Sequence, residues 1–265
     1  MNRLVFFLFA VSIFFQLLSC KSNPSAVASG DQTDFRIGFY NVENLFDTID
    51  IMDKKDEEFT PNSKKEWNTE RYHKKLNDLA KIVAAIEYPA ILGVCEVENK
   101  TVLEDFSKKT SLKKYNYDIV HYESPDQRGI DVALLYQKKF MKVLSSKPIR
   151  INFPRAITGE ENYTSRDILY VEGQLKNKEI LHLFVNHFPS RRGGLAASEP
   201  KRIHVANYLK KDIETIQKKN QNANIILLGD FNDETDNNSI AKTLGAKMPT
   251  ENPAPADLIN CSAER

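Results

Sequence analysis

Cysteine is scarce: the 265 residues contain only Cys20, Cys95 and Cys261. Their wide spacing forms neither a zinc signature nor a disulfide framework, and Cys95 lies inside the apolar run "AILGVCEV", where a small thiol packs as a hydrophobe. Excess charge of either sign is also missing. With 37 basic and 36 acidic side chains the formal net charge is +1, so no global field draws the chain to nucleic acid or anionic lipid, and any anion binding is local. No repeat or low-complexity tract occurs beyond residue 34, and no apolar run reaches the roughly 20 residues a bilayer span requires. Histidine stops early: none of the 5 follows His204. What remains, 41% apolar and 28% charged, suits a soluble core of one large domain or two small ones.

The N-terminus differs from the rest. "MNRLVFFLFAVSIFFQLLSC" has one early Arg3, an apolar run from Leu4 to Phe15, and then Leu17, Leu18, Ser19 and Cys20. This is the pattern of a secretory signal, and its ending resembles a bacterial lipobox, whose cysteine becomes a lipidated N-terminus after cleavage. An uncleaved anchor is the alternative, and the chain is exported on either reading. Residues 21–34 are small and polar with Pro and Gly, the composition of a tether. The expected plan is a signal peptide over 1–19, a tether over 20–34 and a folded domain over 35–265. The protein is expected to be anchored through Cys20 to a bacterial membrane, on the periplasmic side or at the cell surface.

From Phe35 onward, strand-length apolar runs alternate with two helical patterns. "FRIGFYNV" alternates with period two, and "AILGVCEV", "DVALLY", "ILYVEGQL", "ILHLFVNH" and "NIILLGD" are further strands bounded by turn formers or charge. One helix starts at Asn68 or Thr69 and lines up Tyr72, Leu76, Leu79, Ile82, Val83 and Ile86 before Pro89 stops it. A second begins near Ser198 and repeats Ile203, Ala206, Leu209, Ile213 and Ile216. Their Lys-rich faces read as solvated surface. "DTIDIMDKKDEEFTPNSKKEWN" reads as a charged loop. Patterning of this kind narrows the fold to α/β or α+β.

Strand after strand ends in polar groups: Asn41 and Glu43, Glu96 and Glu98, Asn186 and His187 before Arg191 and Arg192, Asp230 and Asn232. One such ending is a turn; their recurrence suggests strands converging on one polar site, because catalytic groups collect where a rigid sheet delivers its loops. Carboxylate and amide oxygens without thiolates suit a hard cation, Mg²⁺ above all. A histidine beside an acid can act as acid, base or electrophile, and guanidinium groups fork onto phosphate oxygens. Together these groups can cleave a phosphoester.

In order, "FYNVENLFD", "ILGVCEVEN", "RGIDVALLY", "NHFPSRRGG" and "ILLGDFND" resemble the signature blocks of the endonuclease/exonuclease/phosphatase superfamily, on its deoxyribonuclease I-like branch. The resemblance runs from Phe35 to Asp233. It implies a four-layer αββα sandwich of two mixed, mainly antiparallel sheets, with the site at strand ends along one edge. It also implies roles for single residues. Glu96, Asn41 and Glu43 would hold the metal, Mg²⁺ or alternatively Mn²⁺ or Ca²⁺. Asp230 would position or deprotonate the attacking water, Asn232 would hold that water and the phosphate, and His187, oriented by Asp131, would stabilise the pentavalent centre. Arg166 would approach the phosphate, and Arg191 and Arg192 could embrace it. The function implied is Mg²⁺-dependent phosphodiester hydrolysis, with nucleic acid the leading substrate. A phosphatase or sphingomyelinase activity, or a surface lipoprotein that keeps the cleft only for binding, are the alternatives.

The superfamily pattern continues through a late Asp and closes on an Asp-His pair, and neither dipeptide nor any histidine follows Asp230 up to Arg265. The expectation is therefore a sandwich left short at its C-terminus, slower in turnover and reduced in stability, with unpaired edges that favour aggregation.

Overall fold

The computed structural model describes residues 35–251, 253–254 and 256–262. The expected signal peptide, tether and Cys20 lie outside the described residues. Along the chain run β1 (Ile37–Leu45), α1 (Thr69–Ala85), β2 (Ile91–Val97), α2 (Lys100–Lys108), β3 (Tyr117–His121), β4 (Asp131–Gln137) and β5 (Met141–Ile149). They are followed by α3 (Arg155–Thr158), β6 (Ile168–Leu175), β7 (Ile180–His187), α4 (Leu195–Lys219) and β8 (Asn224–Asp230).

The strands form two sheets of four, ordered β1-β2-β4-β3 and β5-β6-β7-β8. Each sheet is mixed: β1 runs parallel to β2 and β7 to β8, while the other pairs are antiparallel. The sheets face each other through Ile91, Cys95, Leu134, Val171, Leu183 and Val185. On the outside of the first sheet Leu76, Val83, Leu103 and Phe106 of α1 and α2 pack against Leu92, Val94 and Leu135. On the outside of the second, Val205, Leu209 and Ile213 of α4 pack against Phe184 and Phe188. This is a four-layer αββα sandwich. Strands buried on both faces need apolar residues through their middle, which is why residues 91–95 of β2 and 132–136 of β4 read as apolar runs with polar residues only at the ends.

The six sequence-predicted strands are all present. The two additional ones, β3 and β5, are outer strands, and β5 carries Lys142, Lys147 and Pro148, residues an outer strand tolerates without showing a core pattern. Asn68 caps α1 by accepting the Arg71 amide at 3.0 Å, but Ile82 and Ile86, expected on its buried face, are exposed. Ser198 does not start α4; it lies one turn inside, its hydroxyl donating to the Gly194 carbonyl at 2.7 Å. The nine-residue α2, capped by Asn99, is too short for its periodicity to announce itself. The expected charged loop is docked, since Phe59 stacks on Phe46 at 4.1 Å and Asp56 is buried. Among the described residues no helix is long and apolar enough to cross a membrane.

Candidate active site

Both parallel strand pairs end at one place. The β2–β4 register slips between Cys95 and Val97, and there Glu96 adopts φ +63. A bulge of this kind re-aims a side chain out of the strict alternation of a strand. β1 slips likewise between Asn41 and Leu45, with Glu43 at φ +54 and Asn44 at φ +62. In the other sheet His187 of β7 stands opposite Asp230 of β8. Gly229 makes that close pairing feasible, because a Cβ there would lie 2.6 Å from the Asn186 carbonyl oxygen.

Asn41 joins the two sheets. Its Nδ2 donates to Asp230 Oδ2 at 3.0 Å and to Glu96 Oε1 at 3.3 Å, while its Oδ1 accepts the Glu43 amide at 2.9 Å. Asp230 Oδ1 accepts the Asn232 amide at 3.0 Å, and Asn232 Nδ2 donates to the Phe188 carbonyl at 3.1 Å. Asn232 takes φ +50, a left-handed conformation that asparagine tolerates better than most residues. Such strained positions gather at functional sites when surrounding contacts hold them.

His187 places Nε2 3.7 Å from Glu96 Oε1, and its Nδ1 is buried without a partner. Burial, reinforced by the positive charges of Arg166 and Arg128, pushes the imidazole down to about 2. His187 is therefore neutral at physiological pH, a hydrogen-bond donor or acceptor but not a fixed cation. Glu98, directly after β2, is buried, accepts the Asp47 amide and is pushed up to about 8 by desolvation, so at neutral pH it holds its proton and does not act as an anionic ligand.

The structure commits Asp131, Arg166 and Arg191 to partners other than those expected, and leaves Arg192 and Glu43 exposed. Asp131 does not orient His187: it binds His121 Nε2 at 3.0 Å and the Ser124 amide at 2.8 Å, because the antiparallel pairing of β3 with β4 brings His121 beside it. Arg166 is buried and committed elsewhere, donating Nη1 to Asp126 at 3.2 Å and Nη2 to the Phe188 carbonyl at 2.7 Å; it acts on the site by its field on His187. Arg191 is taken by the loop after β8, with Nε on the Asn232 carbonyl at 2.8 Å and Nη2 on Asn237 at 3.0 Å. Arg192 is exposed and makes no hydrogen bond or ion pair among the described residues. Glu43 is exposed with only its main chain engaged, and Asn41 turns a donor, not an oxygen, toward Glu96.

Two features of the region went unread in the sequence. His121, Glu123 and Asp131 bring their ligand-type atoms within 4.8 Å of one another, whereas Glu43, Glu96 and Asp230 form no such group. Only the β3–β4 register reveals it. The second is Arg202, whose side chain is fully buried beside Asp233. Here a signal existed: Arg202, Val205, Leu209 and Ile213 share the buried face of α4, and a charge on an apolar stripe needs a partner.

A family model described as the endonuclease/exonuclease/phosphatase family matches residues 36–263. The chain belongs to this family. Solved structures share its fold. The human Nocturnin catalytic domain with bound sulfate is 18% identical, with 72% of this chain and 70% of that one aligned at a TM-score of 0.52. A mannosyl-6-phosphatase of Bacteroides thetaiotaomicron is 13% identical over 80% of this chain and 70% of its own, at 0.53. A conserved protein of unknown function from Enterococcus faecalis is 14% identical over 82% and 74%, at 0.55. No protein of curated function matches the sequence. The family is one of phosphoesterases and nucleases, and phosphoester hydrolysis is the activity class it supports for this chain.

Proposed function

We propose that the protein is a Mg²⁺-dependent phosphodiesterase, exported and held on a bacterial membrane by lipid on Cys20, with nucleic acid as its leading substrate. The observation that carries the reading is the meeting of Glu96, Asn41, Asp230, Asn232 and His187, from both sheets, at the ends of the parallel strand pairs. Glu96 and Asp230 fit a hard divalent cation: they are two carboxylates bridged by one amide donor, the neighbouring Cys95 is buried in the inter-sheet core with its thiol pushed up by desolvation, and Mg²⁺ commonly takes one or two protein carboxylates. Bound there, the cation would offset charge developing on the phosphate and the leaving oxygen.

The remaining chemistry belongs to side chains. Asp230, fixed through both oxygens by Asn41 and the Asn232 amide, orients water for in-line attack. Asn41 and Asn232 hold that geometry, and neutral His187 donates its one N–H to a phosphate oxygen as negative charge grows there. An open groove of about 480 Å³ beside α1 is lined by Tyr40, Trp67, Arg71, Lys74 and Lys75, with Asp78 paired to Lys74. Lys75 of this groove donates to the Glu43 carbonyl at 2.7 Å, in the strand segment that follows Asn41. Aromatic rings beside cations suit stacked bases and backbone phosphates, which favours a nucleic-acid strand over a small ester.

The deciding assay incubates the purified protein with Mg²⁺ and plasmid DNA, RNA, sphingomyelin, inositol phosphates or mannose 6-phosphate, beside an Asp230→Ala control. Cleavage of DNA or RNA that Asp230→Ala abolishes supports the proposal. Release of inorganic phosphate from the monoesters alone would make it a phosphatase, and no turnover on any substrate would leave a binding cleft. Mass spectrometry of the mature N-terminus tests the anchor, which requires a diacylated Cys20.

A further inference from the structure

We propose that Arg202 and Asp233 are a positioning pair, which holds the loop after β8 so that Asp230 and Asn232 face the reacting phosphate; this deepens the phosphodiesterase reading and rests on it. Neither side chain of the pair has any exposure, and Arg202 Nε lies 2.7 Å from Asp233 Oδ1. The N–H is not aligned as a hydrogen bond, so attraction of charge carries that contact. Asp233 Oδ2 accepts the Ser239 hydroxyl at 2.6 Å from the π-helical turn Asn238–Leu244. Arg202 Nη1 donates to Ser198 Oγ at 2.7 Å and Nη2 to the Leu195 carbonyl at 3.3 Å. The pair thus ties the first turns of α4, the π-helical turn and the catalytic loop together.

The loop needs such a tie. Asn232 sits at φ +50 immediately before Asp233, and its main-chain oxygen accepts Arg191 Nε at 2.8 Å. Arg191 Nε also lies 3.7 Å from Asp233 Oδ1 and its Nη1 3.3 Å from Glu234. Two guanidinium groups, one in the core and one near the surface, therefore grip one short segment. Stability alone does not ask for charge here, because an apolar pair of similar volume usually serves a buried position as well or better. A directed pair instead fixes where Asn232 stands, and a displacement of about 1 Å of a positioning group can cost about 10²-fold in rate.

The test uses the full chain and the double variant Arg202→Met/Asp233→Asn, which removes both charges and keeps the volume close to that of the wild type. The first readout is hydrogen exchange at the Asn232 amide, which is bonded to Asp230 Oδ1 and is followed without substrate. About tenfold faster exchange in a variant that unfolds cooperatively is expected, and unchanged exchange would overturn the pair's role. The second is kinetic: kcat should fall about 10²-fold with KM within about twofold, and an unchanged kcat despite faster exchange would equally overturn it. If the wild type cleaves no phosphoester, the functional reading fails while exchange still decides whether the pair holds the loop. Should the double variant not fold, Arg202→Lys replaces it, with faster Asn232 exchange supporting the proposal and wild-type exchange overturning it.

Discussion

The side-chain amide of Asn41 donates to Asp230 across 3.0 Å, although the two residues are 189 positions apart and belong to different sheets. The same nitrogen reaches Glu96 at 3.3 Å, so one neutral group keeps two carboxylates at a fixed separation. Asn41→Ala removes that bridge and lets the carboxylates repel each other. Turnover should fall by about 10², the usual cost of deleting one polar group that acts on the transition state. Initial rates on the cleaved phosphoester check this, and a variant retaining most of the wild-type rate would take Asn41 out of the mechanism.

Asp131 serves His121 and the Ser124 amide, not His187. Its loss should therefore appear in stability: Asp131→Ala leaves a buried imidazole and a buried amide unpaired, costing about 1–3 kcal/mol for each group left unsatisfied. Urea denaturation of Asp131→Ala, His121→Ala and the double variant measures the coupling. If the residues act as a pair, the double variant loses less than the sum of the singles; strict additivity would show that they do not.

The sandwich was legible in the chain because its central strands are buried on both faces, and strands such as β2 are then apolar along their length up to the polar residue at the site end, here Glu96. The outer strands β3 and β5 were not, since one side of each meets solvent and polar residues break the pattern. At the site the sequence order delivered Glu96, His187, Asp230 and Asn232 to strand ends, which periodicity and block order can express. Which acid meets which base depends on register across sheets, and no local pattern encodes it. Asp131 shows this: its position at the head of a strand was readable, but its partner is set by the pairing of His121 with Ala133. Arg191 and Arg192 are adjacent in sequence yet part in space, one gripping a loop and the other in solvent.

Glu98 gives the stability a pH slope whose sign follows from burial. Its carboxyl ionises near 4.5 when unperturbed and is pushed up to about 8 in the fold, first by desolvation and then by Asp47, Asp56 and Glu123, against the opposing pull of the Asp47 amide. Between those values the folded state keeps a proton that the unfolded chain has lost, so stability falls as pH rises through the window. Glu98→Gln imitates the protonated form and retains an oxygen for the Asp47 amide. In EDTA, the variant and the wild type should be nearly equal in stability below the window, and the variant should be more stable above it by an amount on the order of a few kcal/mol. A difference that does not change with pH would show that Glu98 is ionised in the fold throughout.

A cation held by Glu96 and Asp230 binds the folded state only, so it should stabilise as well as activate. At a Mg²⁺ concentration about 100 times Kd the gain is about 2.7 kcal/mol, and EDTA should reverse it and stop turnover. Glu96→Gln keeps the shape of the side chain but removes the charge, and should abolish the Mg²⁺-dependent rise in Tm. A rise that survives Glu96→Gln and is lost in Glu123→Gln would move the cation to the cluster of His121, Glu123 and Asp131.

Among the described residues, β1 pairs only with β2 and β8 only with β7, so each presents an open edge. Phe35, Ile37 and Phe39 on one strand and its approach, and Ile226 and Leu228 on the other, pack against the inter-sheet core while remaining partly exposed. Unpaired amides beside apolar side chains form a template for association, and incomplete burial removes part of the stabilisation that a closed core provides. Thermal unfolding should accordingly have a midpoint below about 60 °C, with light scattering that grows with protein concentration. A sharp transition well above that temperature from a monomer that stays monomeric would mean these edges are already satisfied in solution.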